Sequence, residues 1–88
     1  MSETRQQLSR LQFELSQDKL EEFERLRMEG GFETRKELLN NALTLLSWVI
    51  RHAQMGHTIV AIDEKSDKSY ELAMPFLTHA ARNATHRR

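Results

Sequence analysis

Residues 9–15 constrain the fold most, because they have the pattern of a single strand with no partner nearby in the sequence. Apolar and polar residues alternate with the period of two that is typical of a half-buried strand, with Leu11, Phe13 and Leu15 set against Arg10, Gln12 and Glu14. The residues that follow have helical patterns. A lone strand leaves its backbone N–H and C=O groups unpaired, which is costly unless another segment completes the ladder.

Length and composition favour a second copy of the chain as that partner. The chain has 88 residues and no cysteine, which predicts one domain with a modest core and no disulfide to support it. It has neither an apolar secretion signal near its start nor a stretch long enough to cross a membrane. We therefore expect a cytoplasmic protein that makes no membrane contact and completes its core by oligomerisation.

Two helices are predicted after the strand. The first spans residues 17–28, with Ser16 as its N-cap and Gly30 and Gly31 ending it. The second spans residues 35–54 and begins with a capping box, in which Thr34 accepts from the Glu37 N–H and Glu37 reaches back to the Thr34 N–H. Apolar residues cover more than half of the second helix, more than one strand and one helix can bury. A self-associating helix explains this excess better than an ordinary core helix does.

The C-terminal third predicts a β-hairpin. Residues 58–63 and 69–74 are β-prone, a polar turn joins them, and Pro75 ends the second strand. A short helical turn over residues 76–81 is expected next. The predicted organisation is a flexible arm (1–7), a dimerisation unit (8–55), a hairpin extension (56–76) and a flexible basic tail (77–88).

The order of strand, helix, glycine turn and capped helix resembles the ribbon-helix-helix family of DNA-binding proteins, the Arc and MetJ type. The resemblance rests on RLQFELSQDKLEEFERL and GGFETRKELLNNAL and covers residues 9–53. It implies an α+β, mainly helical homodimer, in which two copies pair their strands as an antiparallel ribbon that enters the DNA major groove. The dimer core would be formed by Leu11, Phe13, Leu15, Leu38, Ala42, Leu46, Trp48 and Val49.

The resemblance also implies which residues contact DNA. The outward ribbon face, Arg10, Gln12 and Glu14, would contact base edges. The start of the second helix would contact a phosphate through Thr34, Arg35 and Lys36. Without the resemblance, the first set reads as a solvated strand face and the second as an ordinary helix cap.

The function predicted from these features is that of a dimeric, sequence-specific transcriptional regulator, most simply a repressor. One alternative is an antitoxin that represses its own promoter and holds a toxin, or another protein, through residues 56–76. The other is a dimeric protein-interaction module without DNA binding, which Glu14 and the net charge of zero favour and the pair Arg35 and Lys36 opposes. For the hairpin we favour a structural role, covering the second helix with Ile59, Ile62, Tyr70 and Leu72.

Catalysis, cofactors and metals are not predicted. The sequence contains no Gly-rich phosphate loop and no set of residues that resembles a catalytic triad. Of the four histidines, His52 and His57 are five residues apart, which is not the spacing that places two ligands on one helix face.

Overall fold

The computed structural model of the chain describes residues 7–84 as three helices and one two-stranded antiparallel sheet. The elements follow the order α1 (Gln17–Glu29), α2 (Arg35–Gln54), β1 (Val60–Asp63), β2 (Lys68–Glu71) and α3 (Pro75–Ala84). The mainly helical α+β class is therefore confirmed. Residues 7–16 precede α1 without helix or strand, so the strand predicted over 9–15 is not formed within one chain.

The predicted boundaries of α1 and α2 are confirmed to within one residue. The Ser16 hydroxyl accepts from the Lys19 N–H at 3.2 Å and caps α1. At the other end of α1, Gly31 has a φ of 74°, and the Phe32 N–H donates to the Arg27 carbonyl at 2.9 Å. This left-handed glycine turn satisfies the last carbonyls of α1 and sends the chain back toward α2.

The capping box of α2 differs from the predicted one in one partner. The Thr34 hydroxyl accepts from the Glu37 N–H at 3.0 Å, as predicted. The Glu37 carboxylate, however, accepts from the N–H of Glu33 at 2.9 Å and not from that of Thr34. The carboxylate thus reaches one residue further back and fixes the chain just before the helix begins.

The hairpin is shorter than predicted and lies away from α2. Val60–Asp63 pairs with Lys68–Glu71, and the turn between the strands contains Asp67 at a φ of 61°. Within residues 7–84 no helix packs against either strand. The predicted cover of α2 by Ile62 and Tyr70 is therefore wrong within one chain, because α3 packs on α2 instead. Ile59 and Leu72 lie just outside the two strands, where Ile59 is half-buried and Leu72 is exposed.

Helix α3 covers the C-terminal half of α2 in place of the hairpin. Its small residue Ala80 is buried, as are Val49 and Ala53 on α2. The helix is longer than the predicted turn over 76–81. The tail that was predicted to be flexible from residue 77 is therefore helical as far as Ala84. Pro75 occupies the first helical position, where a missing N–H costs nothing. The rest of the predicted tail, and residues 1–6 of the predicted arm, lie outside the described residues.

The core of the single chain is small for its length. In the described residues only Leu38, Val49, Ala53 and Ala80 are buried. The chain exposes 8237 Å², whereas a compact monomer of this mass exposes about 5,400 Å². Its radius of gyration is 17.0 Å, against about 12 Å for a compact domain of this length. Large apolar side chains in the described residues also remain exposed, among them Leu11, Leu43 and Trp48.

Candidate nucleic-acid interface

The apolar side chains of the segment before α1 line one open cavity. Leu11, Phe13 and Leu15 are 77%, 73% and 49% exposed. They border a cavity of 630 Å³ together with residues from both of the following helices, namely Leu20, Phe23, Arg35 and Leu39. The three apolar residues that alternate in the sequence therefore border one cavity, and the residues from 7 to 84 leave them largely exposed.

The three polar residues of the segment are also exposed. Arg10, Gln12 and Glu14 make no hydrogen bond or ion pair with any other residue in the range 7–84. Their side chains are available for an external ligand, with two donors and a carboxylate acceptor spaced two residues apart. The chain does not itself supply the ribbon that would hold them in register.

The start of α2 combines backbone donors with cationic side chains. Within the described residues, no acceptor receives the N–H groups of Arg35 and Lys36, and the Lys36 side chain has no partner. The positive end of the helix dipole lies at the same place. These features suit an anion such as a phosphate.

Arg35 is held by a carboxylate, which the sequence did not indicate. Its guanidinium forms an ion pair with Glu24 on α1, and Glu24 also accepts from Arg27 at 2.9 Å. Arg27 in turn donates to the Phe32 carbonyl at 3.1 Å, so the network braces the turn between α1 and α2. The hydrogen bonds from Arg27 and then from Arg35 hold the pKa of the Glu24 carboxyl below its ordinary value. A phosphate would therefore compete with Glu24 for Arg35.

The residues predicted for the dimer core divide into two groups. Leu38 and Val49 are 8% and 6% exposed, so the chain's own residues already cover them. The other six are all exposed in the single chain: Leu11, Phe13, Leu15, Ala42, Leu46 and Trp48. The second group still needs a partner if these side chains are to be buried.

One face of α2 continues the apolar surface from the cavity. Leu39, Leu43, Leu46 and Ile50 are spaced by four, three and four residues, so they follow one side of the helix. The first three are exposed, and Ile50 is half-buried. Since Leu39 also lines the cavity beside the N-terminal segment, the two apolar surfaces are continuous.

Two histidines meet at the end of α2 in spite of their spacing. The Nδ1 atoms of His52 and His57 are 2.8 Å apart, and the ring centroids of Trp48 and His52 are 4.3 Å apart. The turn at Gly56, with a φ of 84°, folds His57 back onto the helix. Among residues 7–84, no group of three or more His, Asp or Glu side chains is arranged to hold a metal ion.

Comparisons with protein families, with curated proteins and with solved structures found no match to this chain. In the described part of the chain, none of the helices combines the length and apolar character needed to cross a membrane.

Proposed function

We propose that the chain is a dimeric, sequence-specific DNA-binding regulator of the ribbon-helix-helix type, acting in the cytoplasm without catalytic activity. The observation that carries this proposal is the segment before α1. Its apolar side chains line an open cavity with α1 and α2, while its polar side chains have no partner among the described residues. A second copy would supply both a backbone partner and an apolar cover.

Pairing of two such segments would provide partners for unpaired backbone groups and a cover for exposed apolar side chains. Two antiparallel copies of residues 9–15 would each pair the backbone groups along one edge of the other. The side chains of Leu11, Phe13 and Leu15 would then lie between the ribbon and the helices. The exposed face of α2 would be covered in the same step, because it is continuous with the cavity.

The surface area of the chain supports an interface of this extent. The excess over a compact monomer is about 2,800 Å² per chain on the scaling for folded proteins. Interfaces of obligate homodimers bury about 2,000 to 5,000 Å² in total, or half of that on each copy. Dimerisation can therefore account for a large share of the excess.

The outward ribbon face then reads the DNA. Arg10 can donate two hydrogen bonds to guanine, Gln12 can pair with adenine, and Glu14 can accept from cytosine N4. The two N–H groups at the start of α2 and the Lys36 ammonium would hold a phosphate and fix the ribbon's register. Arg35 joins them when it leaves Glu24.

The hairpin favours a second candidate function, in which the dimer also holds another protein. Ile62 and Tyr70 are 68% and 58% exposed, and no described helix packs on either strand. An antitoxin that represses its own promoter would use such a surface, and so would an interaction module without DNA binding. A toxin-like reading frame adjacent to the gene would favour the antitoxin.

The proposal is tested by fluorescence-anisotropy titration of the DNA upstream of the gene and of a scrambled duplex, at several salt concentrations. We expect the upstream DNA to bind at least ~10³-fold more tightly, with an affinity that falls as salt rises. Equal and weak binding to both duplexes would contradict sequence-specific recognition and favour the interaction module.

A double variant locates the specificity. Arg10→Ala with Gln12→Ala should abolish the preference for the upstream DNA and leave the thermal midpoint nearly unchanged, because both side chains are exposed. Lys68→Ala with Ser69→Ala makes a matched change in the hairpin and should leave the preference intact. An equal loss of preference in both variants would show that the N-terminal segment does not read the bases.

A further inference from the structure

The two strands of the hairpin have different free edges. Leu72 donates to the Ile59 carbonyl at 2.8 Å, which makes Ile59 and Leu72 a hydrogen-bonded pair in the register of the sheet. Hydrogen-bonded and non-hydrogen-bonded pairs alternate along an antiparallel ladder. The backbone N–H and C=O groups of Thr58, Val60 and Ile62 therefore point away from β2, toward the outer edge of β1.

On β1, the positions whose backbone groups point outward carry no charge and no proline, and the short strand ends at Asp63. Natural edge strands carry charged residues, proline or bulges that prevent further pairing. On β1 the three residues with outward backbone groups are uncharged: Thr58, Val60 and Ile62. On β2 the corresponding residues include Glu71, Lys68 lies next to them, and Pro75 follows closely. Strand addition is therefore favoured at β1 and opposed at β2.

The hairpin also has little else to stabilise it. A two-stranded sheet in water is marginal at best and needs a third strand or a packed helix. All eight residues of the two strands are exposed, and within residues 7–84 no helix contacts them. The outer edge of β1 is the place where a further strand would complete the structure.

We propose that the occupant of this edge is the β1 strand of a second copy of the chain, running antiparallel and centred on Val60. In that register Val60 faces Val60 and Thr58 faces Ile62, and every one of these residues has outward backbone groups, so the ladder is complete. His57, whose ring contacts His52 of its own chain, lies opposite Asp63 of the second copy, so that carboxylate faces a polar residue. The result is a four-stranded sheet in the order β2, β1, β1, β2.

The polarity of the residue opposite Asp63 favours this register over its neighbour. A register centred on Ala61 also matches the backbone groups, but it places Ile59 opposite Asp63 of the second copy and Thr58 opposite Glu64. In that register Asp63 would face an apolar residue. The register centred on Val60 avoids this at both ends of the ladder. This inference does not depend on the N-terminal ribbon or on DNA.

The test is amide hydrogen exchange of the full chain, followed by NMR at two protein concentrations. Ile62 and Ser69 are cross-strand partners whose N–H groups point to opposite outer edges, so each serves as a control for the other. We expect the Ile62 amide to exchange roughly tenfold or more slowly than the Ser69 amide, with protection that increases with concentration. Equally fast exchange of both amides would overturn the proposal.

A proline variant separates edge pairing from dimerisation by the N-terminal segment. Val60→Pro removes an outward N–H without removing a bond of the hairpin, and Glu71→Pro does the same on β2. Val60→Pro should abolish Ile62 protection, Glu71→Pro should retain it, and the Ala61 and Tyr70 amides should report an intact hairpin in both. Ile62 protection that survives Val60→Pro in an intact hairpin would contradict the pairing. If the ribbon dimer does not form, Phe13→Ala should instead leave the free energy of unfolding nearly unchanged.

Discussion

Two extended parts of this chain, residues 7–16 and the hairpin, differ in what they lack. The hairpin forms its own ladder, so the backbone groups on the inner edges of its two strands are paired within the chain, while its side chains remain exposed. The N-terminal segment has neither a ladder nor burial, although its apolar residues already face one cavity. The comparison shows that a turn with suitable residues can complete a ladder within one chain, whereas a segment that leads directly into a helix cannot.

The difference also separates the two proposals. A second copy must supply backbone partners along the whole of residues 8–16, and the interface that results contains the large side chains of Leu11, Phe13 and Leu15. At the hairpin, a second copy adds a strand to a ladder that already exists. The first contact should therefore dominate the stability of the protein, and the second should be the weaker association.

The largest expected effect compares two aromatic residues. If a second copy buries Phe13, then Phe13→Ala should lower the free energy of unfolding by about 3 to 5 kcal/mol per chain. Tyr70→Ala, at a hairpin position that is exposed in the chain, should cost no more than about 0.5 kcal/mol. Urea denaturation at matched protein concentrations measures both. Equal, small effects would mean that Phe13 remains as exposed in solution as it is in the single chain.

A smaller effect concerns charge next to each region. Glu24→Gln releases Arg35 and removes a negative charge near the proposed phosphate, so we expect DNA affinity to rise by about two- to fivefold at low salt. Glu71→Gln makes the same change in charge on the hairpin and should leave DNA affinity unaltered. Anisotropy titrations of both variants provide the comparison. If Glu71→Gln raises DNA affinity as much as Glu24→Gln does, the change in net charge explains the effect and the release of Arg35 does not.

The smallest expected effect is a pH dependence of the amide chemical shifts in the turn of the hairpin. Hydrogen bonds from the Ser66 side chain and backbone hold the pKa of Asp63 below its ordinary value, and Lys65 adds another. A lowered pKa means that the charged carboxylate stabilises the turn above the ordinary carboxyl range, near pH 4, and that this contribution is lost as the pH falls through the lowered value. The Lys65 and Ser66 amide shifts should report this change.

A variant and a second site make the pH experiment decisive. Asp63→Asn should remove the pH dependence of those two amide shifts, because the side chain no longer titrates. The Glu33 amide, which donates to Glu37 at the start of α2, serves as a separate reporter for the helical part. If the Lys65 and Ser66 amide shifts still change with pH in Asp63→Asn, another titratable group causes the change.

The helices could be predicted from the sequence because their signals are local. Ser16, Thr34, Gly30 and Gly31 mark helix ends through contacts within a few residues, and the structure agrees at each of them. The partner of Glu37 was predicted one residue away from its true position. That choice depends on the exact path of the chain before the cap, which the spacing of residues does not determine.

The tertiary contacts could not be predicted in the same way. The apolar residues of α2 indicated an excess of surface to bury, but not that α3, rather than the hairpin, would pack on α2. Pro75 followed by Phe76 and Leu77 was the available signal for a longer third helix. The ion pair between Glu24 and Arg35 joins residues eleven apart and depends on the angle between two helices.

The most direct test of the central claim is an isotope-filtered NOE experiment on a mixture of labelled and unlabelled chains. If two copies complete the segment before α1, the Phe13 ring should show NOEs to Leu11 and Leu15 of the other chain, and the backbone of residues 9–15 should show the inter-chain contacts of an antiparallel ladder. NOEs from Phe13 that arise only within one chain, in a sample that binds the upstream DNA, would contradict the ribbon.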